Sequence, residues 1–145
     1  MAVNVVECVG TEAFQAIWPV MRQLRNTLSE DQFLERVKAA QGEGYRLFAA
    51  FHEGRPVGAI GWRIVNDLAS GRSLYIDDLV ADEAARGMGV GRVLMDFARG
   101  EAARLGCDQL RLNSGFQRKG AHAFYEAIGL PQRGYAYGEA VPIEG

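Results

Sequence analysis

A change of hydrophobic period in the middle of the chain limits its fold more than any other feature. Leu74 to Val80 reads as a strand. Val90, Val93, Leu94, Phe97, Ala98, Ala102 and Leu105 then recur at the three- and four-residue intervals of one helix face. Between them runs the loop Ala81–Gly89, and glycines stand at 87, 89 and 91. A strand–loop–helix unit of this kind directs free amide N–H groups and the positive end of a helix dipole toward one point. An anion fits there, and phosphate is the usual one. The glycines let the backbone approach a ligand without a Cβ in the way, or serve tight packing alone. Arg86 and Arg92 add positive charge, while Asp82 and Glu83 stay upstream.

The rest of the chain supplies a mixed set of elements around that unit. Val3 to Val9 alternates as a first strand. Thr11 offers a hydroxyl cap to a helix marked by Phe14, Ile17, Met21 and Leu24, with Pro19 placing a break or kink inside it. Ser29 with Gln32 makes a capping-box pattern for a second helix, with Phe33, Leu34 and Val37 on its apolar face. Tyr45–His52 and Val57–Val65 flank the turn Glu53-Gly54-Arg55-Pro56 and predict an antiparallel hairpin. A second turn over Asn66–Gly71 leads into Leu74–Val80. Gly106 closes the long helix, Gln109–Asn113 is a short strand, and Lys119–Ile128 is a helix ended by Gly129. Arg133–Tyr137 is the candidate for a last strand. The expected order is β-α-α-β-β-β-α-β-α-β, a mixed α/β layout with a meander first and a βαβ crossover later.

Composition narrows the class. The 145 residues suit one domain, 1–145, large enough to bury a core without disulfide or metal staples. Cys8 and Cys107 have no metal-like spacing and read as reduced thiols, so no metal is expected. The net charge of −2 comes without a basic run, which argues against nucleic acid as a partner. No apolar run reaches membrane-spanning length, and the start of the chain lacks a positively charged leader. A cytoplasmic protein with no membrane partner is the expectation.

The identity of the phosphate ligand is open to three readings. A nucleoside-triphosphate loop needs Lys-Ser/Thr after its last glycine, where this chain has Arg92-Val93. A dinucleotide fingerprint needs a small residue where Arg92 or Leu94 stands, and an acid near Asn113. The run Arg86-Gly87-Met88-Gly89-Val90-Gly91 instead resembles the Q/R-x-x-G-x-G/A signature of the GNAT superfamily of N-acetyltransferases. The stretch from Ile76-Asp77-Asp78-Leu79-Val80 through Arg92-Val93-Leu94-Met95 is similar to the same family's central motif. A second match, Ala121-His122-Ala123-Phe124-Tyr125-Glu126-Ala127-Ile128-Gly129-Leu130, is similar to its A-x-x-F-Y-E-x-x-G-F segment, with Leu130 where Phe is commoner.

The resemblance implies a mixed, mostly antiparallel central sheet with a parallel, splayed strand pair in the middle and helices on both faces. It implies acetyl-coenzyme A as co-substrate and an amine on a small molecule or peptide as acceptor. The loop amides around Arg86, Gly87, Met88, Gly89, Val90, Gly91 and Arg92 would hold the pyrophosphate, with Asn113 on the next strand also at the cofactor. The backbone of Leu79, Val80 and Ala81 would pair with the pantetheine arm. The strand adds its own argument: a one-residue bulge at Asp77-Asp78 would keep Leu74, Ile76 and Leu79 on one face, the alternative being a strand buried on both.

Acetyl transfer needs a neutral amine and gains from a proton donor to the leaving thiolate. Tyr125 occupies the family's donor position, or packs as an aromatic beside Phe124. Asp77 or Asp78 could accept the amine proton, bind a cationic amine, act through water, or satisfy splayed backbone. His122 is a weaker candidate. Tyr45, Trp62, Tyr75 and Tyr135 are candidates for the acceptor pocket, and Trp18 for the core of the first helix. The short tail Ala140-Val141-Pro142-Ile143 barely supplies a closing strand, which raises the expectation of a homodimer. A non-catalytic acyl-coenzyme A binding module on the same fold is the reading from another class.

Overall fold

The computed structural model describes residues 2–114, 119–134 and 137–141. The chain divides into two compact units, Met1–Leu112 and Asn113–Gly145. The first holds a five-stranded sheet in the order β1 (Asn4–Glu7), β2 (Arg46–His52), β3 (Arg55–Asp67), β4 (Gly71–Ala81) and β5 (Gln109–Leu112). Neighbours are antiparallel except β4 and β5, which run parallel. That parallel step requires a crossover, and α3 (Val90–Arg104) supplies it. The sheet is therefore mixed and mostly antiparallel, and the parallel pair stands at its end among the described residues.

Alternation along the strands puts helices on both faces. Tyr45, Leu47, Ala49 and Ala59 form one core with Phe14, Ile17 and Met21 of α1 (Thr11–Leu24) and Phe33 and Val37 of α2 (Glu30–Gln41). Residues of the other parity pack on α3: Phe48 stacks on Trp62 at 4.5 Å, and Phe97 meets both rings at 5.0 and 5.6 Å. Trp62 is thus a core residue of the α3 side and not a pocket wall. Trp18 stacks on Phe33 against the α1–α2 core, as expected.

Local chemistry explains most element ends. The Ser29–Gln32 capping box forms in both directions. Glu53 and Gly54 both take positive φ, 50° and 75°, which gives the β2–β3 hairpin a turn whose twist matches its strands. Two expectations fail. The cap of α1 is Gly10, with no side-chain cap bond, so the Thr11 hydroxyl is inside the helix. The break allowed for at Pro19 does not occur either: the helix runs on through it, because the buried stripe Phe14, Ile17, Val20 and Met21 holds both halves on the sheet.

In the second unit, α4 (Lys119–Ala127) ends where Gly129 takes φ 84° and the amide of Leu130 donates to the Tyr125 carbonyl at 2.8 Å. Residues 131–134 are irregular, and Tyr135, within the expected last strand, lies outside the described residues, as do Pro142 and Ile143 of the tail.

Candidate active site

β4 is the element on which the site is built. Along Ser73–Ile76 it pairs with β3 on one side and with β5 on the other, ending at Ile76 opposite Leu112. Beyond that point it keeps its β3 partner as far as Ala81, but has no β5 partner. The register with β3 jumps between Gly61 opposite Asp78 and Trp62 opposite Ile76, so Asp77 is the extra residue of a bulge. Leu74, Ile76 and Leu79 accordingly share the α3 face. Asp77 and Asp78, adjacent in sequence, both turn to the α1–α2 face.

The edge of Asp77–Ala81, open among the described residues, leads directly into the glycine loop. Gly87 and Gly89 sit at φ 83° and 76°, and Gly89 caps α3 in the left-handed region, where a Cβ is strained. The amides of Gly87, Gly89, Val90, Gly91 and Arg92 have no backbone acceptor among the described residues. The helix start is drawn close to the sheet by Gly58, where a β-carbon would sit 2.6 Å from Val90. Gln23 at the end of α1 braces the loop: its amide donates to Asp82 Oδ1 at 2.6 Å and accepts from the Glu83 amide at 2.9 Å.

On the α1–α2 face, a cleft of about 460 Å³ lies over the bulge. Its floor is Tyr45, Arg63, Asp77 and Asp78, and its walls are the α1–α2 connection and α2. Arg63 grips Asp77 through both oxygens, at 2.9 and 3.0 Å. Arg25 donates to Asp78 Oδ1 at 2.8 Å and to the carbonyl of Asp77 at 2.8 Å, which satisfies backbone polarity that the bulge leaves unpaired. The Tyr45 hydroxyl donates to Asp78 Oδ2 at 2.6 Å. Burial, reinforced by the Asp78 carboxylate, holds the Tyr45 phenol well above its ordinary pKa, so it stays a proton donor in that bond.

The tyrosine reaches Asp78 only because residue 61 is glycine. A β-carbon there would fall on the Tyr45 hydroxyl and ring. Glycine inside a strand is a recognised sign of close approach, and this signal lay in the sequence unread. Arg25 and Arg63 gave no such signal, since a guanidinium 14 or 53 positions from its carboxylate leaves no local pattern. Tyr75 does not join the floor of the cleft; its ring lies between the guanidinium groups of Arg63 and Arg111 at 5.4 and 5.5 Å.

Of the residues expected at the site, Asp77, Asp78, Leu79–Ala81 and Arg86–Arg92 are joined on one strand, loop and helix of the first unit. Asn113 and Tyr125 belong to the second. Asn113 is exposed. Tyr125 is buried on α4, edge-on to Phe124 at 5.6 Å, and His122 on the same helix is half-buried. No group of three or more His, Cys, Asp or Glu with metal-binding geometry occurs among the described residues. Nor is any described helix long and apolar enough to cross a membrane.

Comparison with known proteins agrees with this architecture. The chain is 30% identical over 141 residues to the uncharacterized N-acetyltransferase YhdJ of Bacillus subtilis (strain 168), covering 96% of this chain and 99% of that one. Its fold matches that of aminoglycoside N-acetyltransferase AAC(6')-Iy in complex with CoA, with a TM-score of 0.83 at 14% identity over 98% of this chain and 96% of that one. It also matches the ribosomal-protein-alanine N-acetyltransferase from Brucella melitensis biovar Abortus 2308, with a TM-score of 0.81 at 18% identity over 97% and 100%. A family model described as the acetyltransferase (GNAT) family covers residues 11–130, a span that takes in the bulged strand, the glycine loop and α4. The chain belongs to the acetyltransferase (GNAT) family.

Proposed function

We propose that the chain is a single acyltransferase domain that moves an acetyl group from acetyl-coenzyme A to the primary amine of a small molecule or peptide. The observation that carries this reading is the continuity of β4, whose carboxylates floor the cleft and whose edge, unpaired among the described residues, runs into five loop amides with no backbone acceptor there. Acetyl-coenzyme A supplies a thioester already activated for acyl transfer. The amides of Gly87, Gly89, Val90, Gly91 and Arg92, at a helix N-terminus, suit a pyrophosphate. The open backbone of Leu79–Ala81 suits the amides of a pantetheine arm. The fold neighbours include AAC(6')-Iy in complex with a bisubstrate analogue, CoA-S-monomethyl-acetylneamine, so the fold accommodates both substrates at once in that protein.

Asp77 and Asp78 carry the acceptor side of the reading. Each already accepts hydrogen bonds from an arginine, so its oxygens are engaged in holding the cleft floor. We assign them to orienting the cleft floor and receiving the amine proton through water. Tyr125 is the assigned donor to the departing thiolate, with Asn113 on the cofactor side. No metal enters the scheme. Free thiols at buried Cys8 and half-buried Cys107 support a cytoplasmic setting. A homodimer is part of the same reading, and light scattering tests it.

A thiol-release assay over amino acids, phosphorylated amines, polyamines and peptides tests the activity. Tyr125→Phe is expected to lower kcat about a hundredfold while acetyl-coenzyme A affinity by calorimetry stays the same. Unchanged affinity with no turnover of any amine in the wild type would instead support the non-catalytic binding module.

A further inference from the structure

Building on the acetyltransferase reading, we propose that the acceptor amine also carries an oxyanion, a carboxylate or phosphate, and that Arg36 binds it. The first ground is the balance of charge in the cleft. Arg25, Arg36 and Arg63 face it, against Glu43, Asp77 and Asp78, so the formal charges cancel. A cleft for a polycation needs surplus negative charge. Here Asp77 is held by the Arg63 fork, and Asp78 by Arg25 and Tyr45. A second ammonium on the acceptor would have to break one of these pairs to gain its own. That exchange returns little.

Arg36 is in the opposite situation. It has no hydrogen bond or ion pair among the described residues, in contrast to Arg25 and Arg63 in the same cleft. It lies on the stripe of α2 that lines the cleft, with Phe33, Val37 and Ala40 at helical spacing. A guanidinium is a planar fork that matches a carboxylate or phosphate with two parallel hydrogen bonds. Leu28 and Phe33 beside it offer apolar surface for the body of the acceptor. The cleft volume of about 460 Å³ lies in the small-molecule range, which suits an amine and an oxyanion carried on one compact molecule.

The test is a thiol-release assay with a matched series: an apolar amino acid, its amide, its decarboxylated amine, a phosphorylated amino alcohol and a polyamine. The amino acid or the phosphorylated amine is expected to exceed the amide in kcat/KM by about tenfold to a hundredfold. Whichever of the two is preferred identifies the oxyanion. Arg36→Gln should erase that preference through KM, and Arg36→Glu should turn it toward the polyamine, both with unchanged melting temperature. Equal turnover of amide and amino acid, or an Arg36→Gln effect of the same size on every amine, overturns the proposal. A wild-type preference for the polyamine overturns it while the acetyltransferase reading stands. If acetyl-coenzyme A binds but no amine in the series or the wider panel reacts, both fall.

Discussion

The two faces of the sheet are built from the same strands but by different means. On the α3 face Phe48, Trp62 and Phe97 pack ring against ring, and Leu94 and Met95 are fully buried. On the α1–α2 face an apolar core covers one part, and ion pairs and one phenol hold the rest open as a cleft. Trp62 and Gly61 are neighbours in sequence and mark the contrast: one fills space, and the other leaves it for Tyr45. The difference teaches that one face is closed by apolar packing throughout, while the other sets polar groups in fixed positions beside an apolar core of its own.

Removing a large side chain from the closed face is the strongest way to break that contrast. Trp62→Ala should cost about 3–5 kcal/mol, read from urea melts, because the rings of Phe48 and Phe97 lose their common partner. A loss under 1 kcal/mol would mean that the ring stack on the closed face contributes little to stability. The open face should respond to an added atom instead. Gly61→Ala is expected to cost about 1–3 kcal/mol by driving Tyr45 off Asp78. The same change made in a Tyr45→Ala background should cost much less, and a double-mutant cycle reads the difference. Additive effects would show that the glycine and the tyrosine do not share the space.

The smallest effect expected is one of alkaline pH, and it arises on the α1–α2 side. Cys8 lies in the α1–α2 core, where burial pushes its thiol up to about 11 from an ordinary value of 9.0. Tyr45 is shifted in the same direction. Both groups are held protonated by the fold, so their contribution is complete below pH 9 and is lost as pH rises through the folded values. Urea midpoints should therefore fall between pH 9 and 11. Cys8→Ala should lower the midpoint at pH 8 but flatten that fall. At pH 8 a thiol reagent should label half-exposed Cys107 well before Cys8.

Much of this was legible in the chain because the signals were local. The capping box at Ser29 and Gln32, the glycine at the end of α3, and the period change at the loop each depend on a few adjacent residues. The bulge was legible from parity, since Leu74, Ile76 and Leu79 share a face only if one residue is added between them. Long-range choices were not legible. Nothing near Trp62 says that it faces α3 while Tyr45 faces the cleft, because that depends on which helix covers which side. Pro19 misled because packing of a buried stripe outweighs a lost backbone bond. The roles of Arg25, Arg63 and Gln23 depend on contacts that only the folded chain creates.

The bulge at Asp77 also has a consequence for how this chain tolerates insertion and deletion. Elsewhere in a strand, loss of one residue turns every later side chain to the wrong face. Here β4 carries one residue more than its partner requires, with Gly61 opposite Asp78 and Trp62 opposite Ile76. Removing Asp77 would leave Asp78 still opposite Gly61 and Leu79 still opposite Ile60. The sheet would close up around the gap, and the chain would lose Arg63's carboxylate partner, the carbonyl that Arg25 binds and the widening of the strand. At this one position along β4 a residue can be removed without changing the facing of those that follow, so length variation among related chains is most easily absorbed where the chemistry is carried.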